Sequence, residues 1–201
     1  MEKIFFATKN VGKVDYVQIV LGRNGIRVVH YPLKLPEIQS PCVEEVAAQK
    51  VKYAFHEINN GREKKVPCIA IDSGLFLNAY NGEWPGTLVK STLEKGPGVE
   101  GILKLLEGET RECDIRPCVA YWDGMLTEPI CFTAKIKGRI ADKQRGERKN
   151  YHWSDLCRVF IPDGLEKTEA EMSKEEYDGW RREVDISVPE FAKWIREIKE
   201  E

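Results

Sequence analysis

Three short stretches carry residues whose types and spacing suit phosphate chemistry. The first is Ala7-Thr8-Lys9-Asn10-Val11-Gly12-Lys13, set between an apolar run and a helical pattern. A helix N-terminus there offers free N–H groups and a positive dipole end. Thr8, Asn10 and Lys13 add donors and a charge, which makes a phosphate cradle without the glycine pattern of a Walker A loop. Its bland counterpart is an ordinary strand-to-helix turn with an Asn cap and a solvated lysine. The second stretch, Ile69-Ala70-Ile71-Asp72-Ser73-Gly74-Leu75, puts Asp72 at the carboxyl end of a buried strand, where open α/β sheets bind ligands. One such carboxylate suits Mg²⁺ shared with substrate phosphates. The bland alternative is an Asp capping a turn into Ser73-Gly74. The third stretch, Leu35-Pro36-Glu37-Ile38-Gln39, contributes Glu37, which alone reads as a solvated loop acid.

The elements that must position these residues follow from hydrophobic periodicity. Lys3 to Ala7 reads as a strand, and Val14, Val17, Val20 and Leu21 as one face of a helix that Gly25 ends. Ile26 to His30 reads as a strand, and Val43, Val46, Ala47, Val51, Ala54 and Ile58 as a long helix ended by Asn60-Gly61. Val66 to Ile71 suits a strand buried on both faces, and Val99, Ile102, Leu103 and Leu106 mark a short helix. Val119 to Trp122, then Asp123-Gly124, then Met125-Leu126 predicts a hairpin with a tight turn. Ile130, Phe132, Ala134 and Ile136 alternate as a strand, and Ser187 with Glu190 predicts a capping box opening a C-terminal helix. The mixture of βα units and hairpins indicates an α/β fold with a mixed sheet and flanking helices.

Composition bounds the function. The 201 residues suit one domain spanning 1–201, and 31 Lys+Arg against 33 Asp+Glu exclude a globally basic nucleic-acid binder. No apolar run approaches the roughly 20 residues that span a bilayer. The N-terminal Met1-Glu2-Lys3 and Ile4 to Ala7 are too soon broken by Lys9 and Asn10 for a signal peptide. A soluble, cytoplasmic protein is expected. Six cysteines without a Cys-x-x-Cys or a neighbouring histidine argue against structural zinc and for buried free thiols.

In this order and spacing, the segments resemble the inosine triphosphate pyrophosphatase family over nearly the whole chain. Thr8-x-Asn10-x-x-Lys13, Leu35-Pro36-Glu37-Ile38-Gln39, Lys50 in the following helix, Asp72-Ser73-Gly74-Leu75 and Pro85-Gly86 match its motifs. So do Phe132 through Gly138-Arg139-Ile140, Phe160-x-Pro162-Asp163-Gly164 and Thr168-x-Ala170-Glu171-Met172. The resemblance implies an elongated, two-lobed α/β structure with a central cleft, commonly a homodimer. It implies hydrolysis of non-canonical purine triphosphates to the monophosphate and pyrophosphate. Glu37 and Asp72 would hold Mg²⁺, or Mn²⁺ in its place, on a nucleoside triphosphate. Thr8, Asn10, Lys13, Lys50 and Ser73 would hold the nucleotide, with Asp72, Lys13 and Glu37 as the catalytic set.

The departures from the family pattern are specific. Tyr16 and Ile71 stand where the family usually has acids. The aromatic loop of the base pocket falls on Arg145 to Asp155, where Trp153 and Asp155 would replace the stacking aromatic and its neighbouring acid. The family's base-reading Ser-His-Arg falls on Arg181-Arg182-Glu183, and its preceding lysine on Tyr177. Base preference is therefore expected to shift. From Ala134 to Asn150, seven basic residues (Lys135, Lys137, Arg139, Lys143, Arg145, Arg148, Lys149) face two acidic ones, Asp142 and Glu147. This reads as a solvated face or as a site for a highly charged ligand. Three functions remain open: a pyrophosphatase of shifted specificity, a nucleotide-binding protein with impaired catalysis and, least favoured, a nucleic-acid-binding module.

Overall fold

The computed structural model describes residues 3–200, so Met1 and Glu2 of the leader reading lie outside the described residues. Fourteen elements follow in order: β1 (Lys3–Ala7), α1 (Val11–Arg23), β2 (Arg27–Tyr31), α2 (Val43–Asn59), β3 (Cys68–Leu77), β4 (Pro85–Gly86) and α3 (Val89–Glu94). The chain continues through α4 (Gly98–Leu105), β5 (Glu112–Trp122), β6 (Ile130–Thr133), β7 (Ile136–Ile140), β8 (Phe160–Pro162), α5 (Lys174–Val184) and α6 (Ser187–Glu200). The strands form one mixed eight-stranded sheet of order β2-β1-β3-β5-β7-β8, with β4 on β3 and β6 on β5. The expected α/β class with a mixed sheet and flanking helices is borne out.

Local chemistry accounts for the helices around the site. Asn10 caps α1 by accepting from the Lys13 N–H at 3.2 Å. Gly25, with φ of 72°, ends it. The face Val14, Val17, Val20 and Leu21 packs with Ile69, Ile71, Val119 and Tyr121 of β3 and β5 and with Phe191 and Ile195 of α6. The stripe of α2 packs Val43, Ala47, Val51, Ala54 and Ile58 against the opposite sheet face at Ala70, Cys118 and Ala120. Lys50 falls within that stripe, so its ammonium is buried and requires a partner. A third cluster covers the far halves of β3 and β5, where Leu75, Leu77 and Ile115 meet Ile102, Leu106 and Phe160.

Four sequence expectations are corrected. β3 does not end at Ile71. It runs on through Asp72, Ser73 and Gly74, because β5 pairs it without a break from Cys68↔Trp122 to Leu77↔Cys113. Ser-Gly reads locally as a turn, but ten cross-strand pairs outweigh that preference. The tight turn at Asp123-Gly124 is instead a longer loop, and Tyr121 pairs with Ile130. Asp123 Oδ1 accepts from the Met125 and Leu126 N–H groups and curls that loop. Ser187 does not open a capping box. Its hydroxyl and N–H both donate to Asp185 Oδ1, so Asp185 takes the capping role. Capping boxes form at Thr168/Glu171 and Ser173/Glu176, the second opening α5, a helix that hydrophobic periodicity did not reveal. The cysteines are all free thiols, but Cys42 and Cys131 are partly exposed rather than buried.

Candidate active site

The site lies along one edge of β3. On that edge β1 pairs only Cys68 and Ile69, and β4 pairs only Leu75 and Phe76. The backbone between is open, while β5 covers the other edge along its full length. Two lysines reach this opening from opposite sheet faces, Lys13 from α1 and Lys50 from α2. Gly74 is required there, since a Cβ would lie 2.6 Å from Phe76 and 2.9 Å from the Gly86 backbone.

Asp72 therefore sits in mid-strand, 7% exposed, and forms an ion pair with Lys50, 6% exposed. Lys50 Nζ also donates to Glu37 Oε1 at 3.0 Å, and Lys90 approaches the same oxygen at 3.5 Å. Burial alone would raise the Glu37 pKa, but the two ammonium groups outweigh it and hold the carboxyl below its ordinary value. The Glu37 loop is tied to the Pro-Gly loop by the Thr87 hydroxyl, which donates to the Ser40 carbonyl at 2.6 Å.

Lys13 Nζ donates to the Ile71 carbonyl at 3.3 Å and to Ser73 Oγ at 3.4 Å, and lies 5.0 Å from the Trp153 ring centroid. Burial pulls its pKa from 10.5 down to about 8, with Asp72 opposing the shift and Lys50 adding to it. The strand-to-helix turn is internally held. Thr8 Oγ1 accepts from the Asn10 N–H at 3.0 Å, Asn10 Nδ2 donates to the Trp153 carbonyl at 2.7 Å, and His30 Nε2 meets the Thr8 carbonyl at 2.8 Å. Asn10 is thus a shaping residue here, both ends of its amide being engaged. Gly12 is pressed against the Tyr151 carbonyl, where a Cβ would stand at 2.5 Å.

Mg²⁺ suits these donors. Asp72 Oδ2 is buried and lacks a hydrogen-bond partner, a hard oxygen left open beside a second carboxylate, Glu37. Among the described residues no group of three or more His, Cys, Asp or Glu side chains is placed to hold an ion alone. Mg²⁺ bound through one or two carboxylates plus substrate phosphates does not require one. Tyr16 and Ile71 supply no replacement acid. Tyr16 is core, its hydroxyl donating to the Asp185 carbonyl at 2.9 Å, and Ile71 offers the site only its carbonyl.

The expected base-reading residues are mostly elsewhere. Tyr177 and Arg181 are each 2% exposed, on the buried face of α5. Arg181 Nη2 pairs with Glu169 Oε1 at 3.1 Å, and the guanidinium carbon stands 4.2 Å from the Trp153 centroid. A long charged side chain reads as surface in isolation. Here Glu169 and Asp185 supply the buried countercharges, and the ring of Trp153 supplies the flat contact. Asp155 pairs with Arg148 at 3.3 Å and faces a different hollow, lined by Leu93, Pro97 and Glu100. Arg182 is half-buried. Of the seven basic residues between Ala134 and Asn150, Lys135, Arg139, Arg145, Arg148 and Lys149 are in ion pairs, with Asp114, Glu166, Glu171, Asp155 and Glu147. Sequence reasoning missed Lys90, His30, Glu169 and Asp185, none of which stands in a local pattern that marks it.

Fold and site together set a lysine-bridged pair of acids on the open edge of a mixed sheet, beside a helix N-terminus. A family model, the Ham1 family, matches residues 4–181, and the chain belongs to that family. A "dITP/XTP pyrophosphatase" of Methanopyrus kandleri is 39% identical over 195 residues, 96% of each chain. Another of that name, from Thermococcus kodakarensis, is 34% identical over 97% of this chain and 98% of its own. A HAM1 protein from Coxiella burnetii shares the fold with a TM-score of 0.78 and 20% identity, over 98% of this chain and all of its own. No helix among the described residues is long and apolar enough to cross a membrane.

Proposed function

We propose that this protein is a Mg²⁺-dependent nucleoside triphosphate pyrophosphatase, releasing a nucleoside monophosphate and pyrophosphate, with a base preference shifted from that of its dITP/XTP-named relatives. The observation that carries this reading is Lys50 bridging Glu37 and Asp72 with Asp72 Oδ2 left open. When bound, Mg²⁺ supplies Lewis-acid polarisation of the triphosphate. Lys50 holds the two carboxylates together and faces developing charge from one sheet face, and Lys13 does so from the other. Thr8 and the first-turn N–H groups of α1 receive phosphate oxygens. Water attacks the α-phosphorus, and the bond to the departing pyrophosphate breaks.

A binding-only reading rests on the loss of acids at Tyr16 and Ile71. Turnover is favoured over it by the relatives named dITP/XTP pyrophosphatases, 39% and 34% identical over nearly the whole chain. Product analysis in ¹⁸O-water tests the proposal: with Mg²⁺, the label enters the nucleoside monophosphate and unlabelled pyrophosphate is released. Release of inorganic phosphate, or of no product, would count against it.

A further inference from the structure

Trp153 is the aromatic side chain held at the phosphate cradle: its carbonyl binds Asn10 and its ring lies under the Lys13 ammonium. A base stacking on that ring would have to displace what is already there. Arg181 lies 4.2 Å from the centroid, Lys13 at 5.0 Å, and the Tyr16 ring packs edge-on at 5.9 Å. Arg181 is not a loose side chain that would swing aside. It is 2% exposed, pairs with Glu169 at 3.1 Å, lies near Asp185 and packs against the rings of Tyr177 and Trp180. The polar groups that hydrogen-bond a base edge are turned inward with it. Tyr177 Oη, Trp153 Nε1 and Arg181 Nε are closed off from solvent and have no hydrogen-bond partner. Asp155 faces another hollow. Arg182, the next residue of α5, is half-buried.

We infer that this chain selects its substrate by the triphosphate and reads the base weakly, with Arg181 standing in the stacking position against Trp153. The substrate class is nucleoside triphosphates across purines and pyrimidines. The inference rests on the proposed pyrophosphatase reading and narrows it. A site built to hydrogen-bond one base rejects the wrong one by about 10⁴-fold, whereas shape alone discriminates by roughly 100-fold or less.

The test is kcat/KM of the wild-type protein with Mg²⁺ for ITP, XTP, GTP, ATP, UTP and CTP, with inorganic tripolyphosphate as a baseless competitive inhibitor. The expected spread across bases is under about 100-fold, and tripolyphosphate inhibits with a Ki within about tenfold of the nucleotide KM. A larger spread, or no inhibition by tripolyphosphate, overturns the inference while leaving the pyrophosphatase reading intact. Absence of turnover with every nucleotide removes that reading instead, and the relative affinities of tripolyphosphate and nucleotides, measured by calorimetry, then decide the inference alone. The triple variant Glu169→Gln/Arg181→Ala/Asp185→Asn clears the Trp153 face and neutralises both buried carboxylates that Arg181 answers. Once circular dichroism confirms its fold, its nucleotide KM should fall relative to the tripolyphosphate Ki. An unchanged ratio would overturn the role given to Arg181.

Discussion

Two charged clusters meet at Trp153, and they are built in opposite ways. Around Lys50 the charges open towards solvent: one oxygen of the partly exposed Glu37 is shared by Lys50 and the exposed Lys90, beside the unpartnered oxygen of Asp72. The Lys13 ammonium is held at a cost in desolvation. Around Arg181 the charges are shut in: Glu169 and Asp185 face a guanidinium that solvent hardly reaches, with its Nε and Nη1 and Asp185 Oδ2 making no hydrogen bond. The first arrangement is what a site waiting for a metal and a polyanion requires. The second is what a core requires when it must accommodate an arginine. Substitutions should therefore cost activity in the first cluster and stability in the second.

The largest stability effect should come from Arg181→Ala, which strands Glu169 and Asp185 without their cation. A loss of about 3–5 kcal/mol in urea unfolding is expected, and a loss within 1 kcal/mol would show the cluster to be less closed than described. Lys13→Met should behave in the reverse sense. Its kcat/KM falls by about 100-fold, while removal of a desolvated ammonium raises stability by roughly 1 kcal/mol. A loss of both would erase the contrast.

Acidity sharpens the same contrast. With Lys13 drawn from 10.5 down to about 8, its ammonium is present in the free protein below pH 8 and lost above it. Because kcat/KM reports the free enzyme, it should fall as pH rises through about 8. Stability runs the other way: the unfolded chain keeps this proton up to its ordinary pKa, so the Lys13 contribution rises between about pH 8 and 10.5. A pH–rate profile without a limb near 8, or one that persists in Lys13→Met, would detach the residue from catalysis. The smallest effect belongs to Asp155→Ala, outside both clusters. It should leave kcat/KM within about twofold and stability within about 0.5 kcal/mol.

These clusters also differ in how far they could be read from the chain. The cradle was legible because its signals are local: Asn10 caps the helix that Lys13 enters, and the α2 stripe carries Lys50 at a buried position. The family motifs placed Glu37 and Asp72 together, and the structure joins them through Lys50. The mid-strand position of Asp72 was hidden, since Ser73-Gly74 suggests a turn until β5 is seen to pair across it. Arg181 was hidden more deeply. It carries a surface residue's charge, and only Glu169 and Asp185, brought in by the packing of α5, make its burial tolerable. Tyr16 was correctly seen as no acid, but its bond to the Asp185 carbonyl depends on how α1 meets the junction of α5 and α6.

The most direct test of the central claim is pyrophosphate release from nucleoside triphosphates with Mg²⁺, wild type beside Asp72→Asn. The substitution keeps the side chain's size and removes the charge that Lys50 answers and a metal would use. Turnover in the wild type, lost by about 1,000-fold in Asp72→Asn with folding intact, is the predicted result. Equal rates in the two proteins would contradict it.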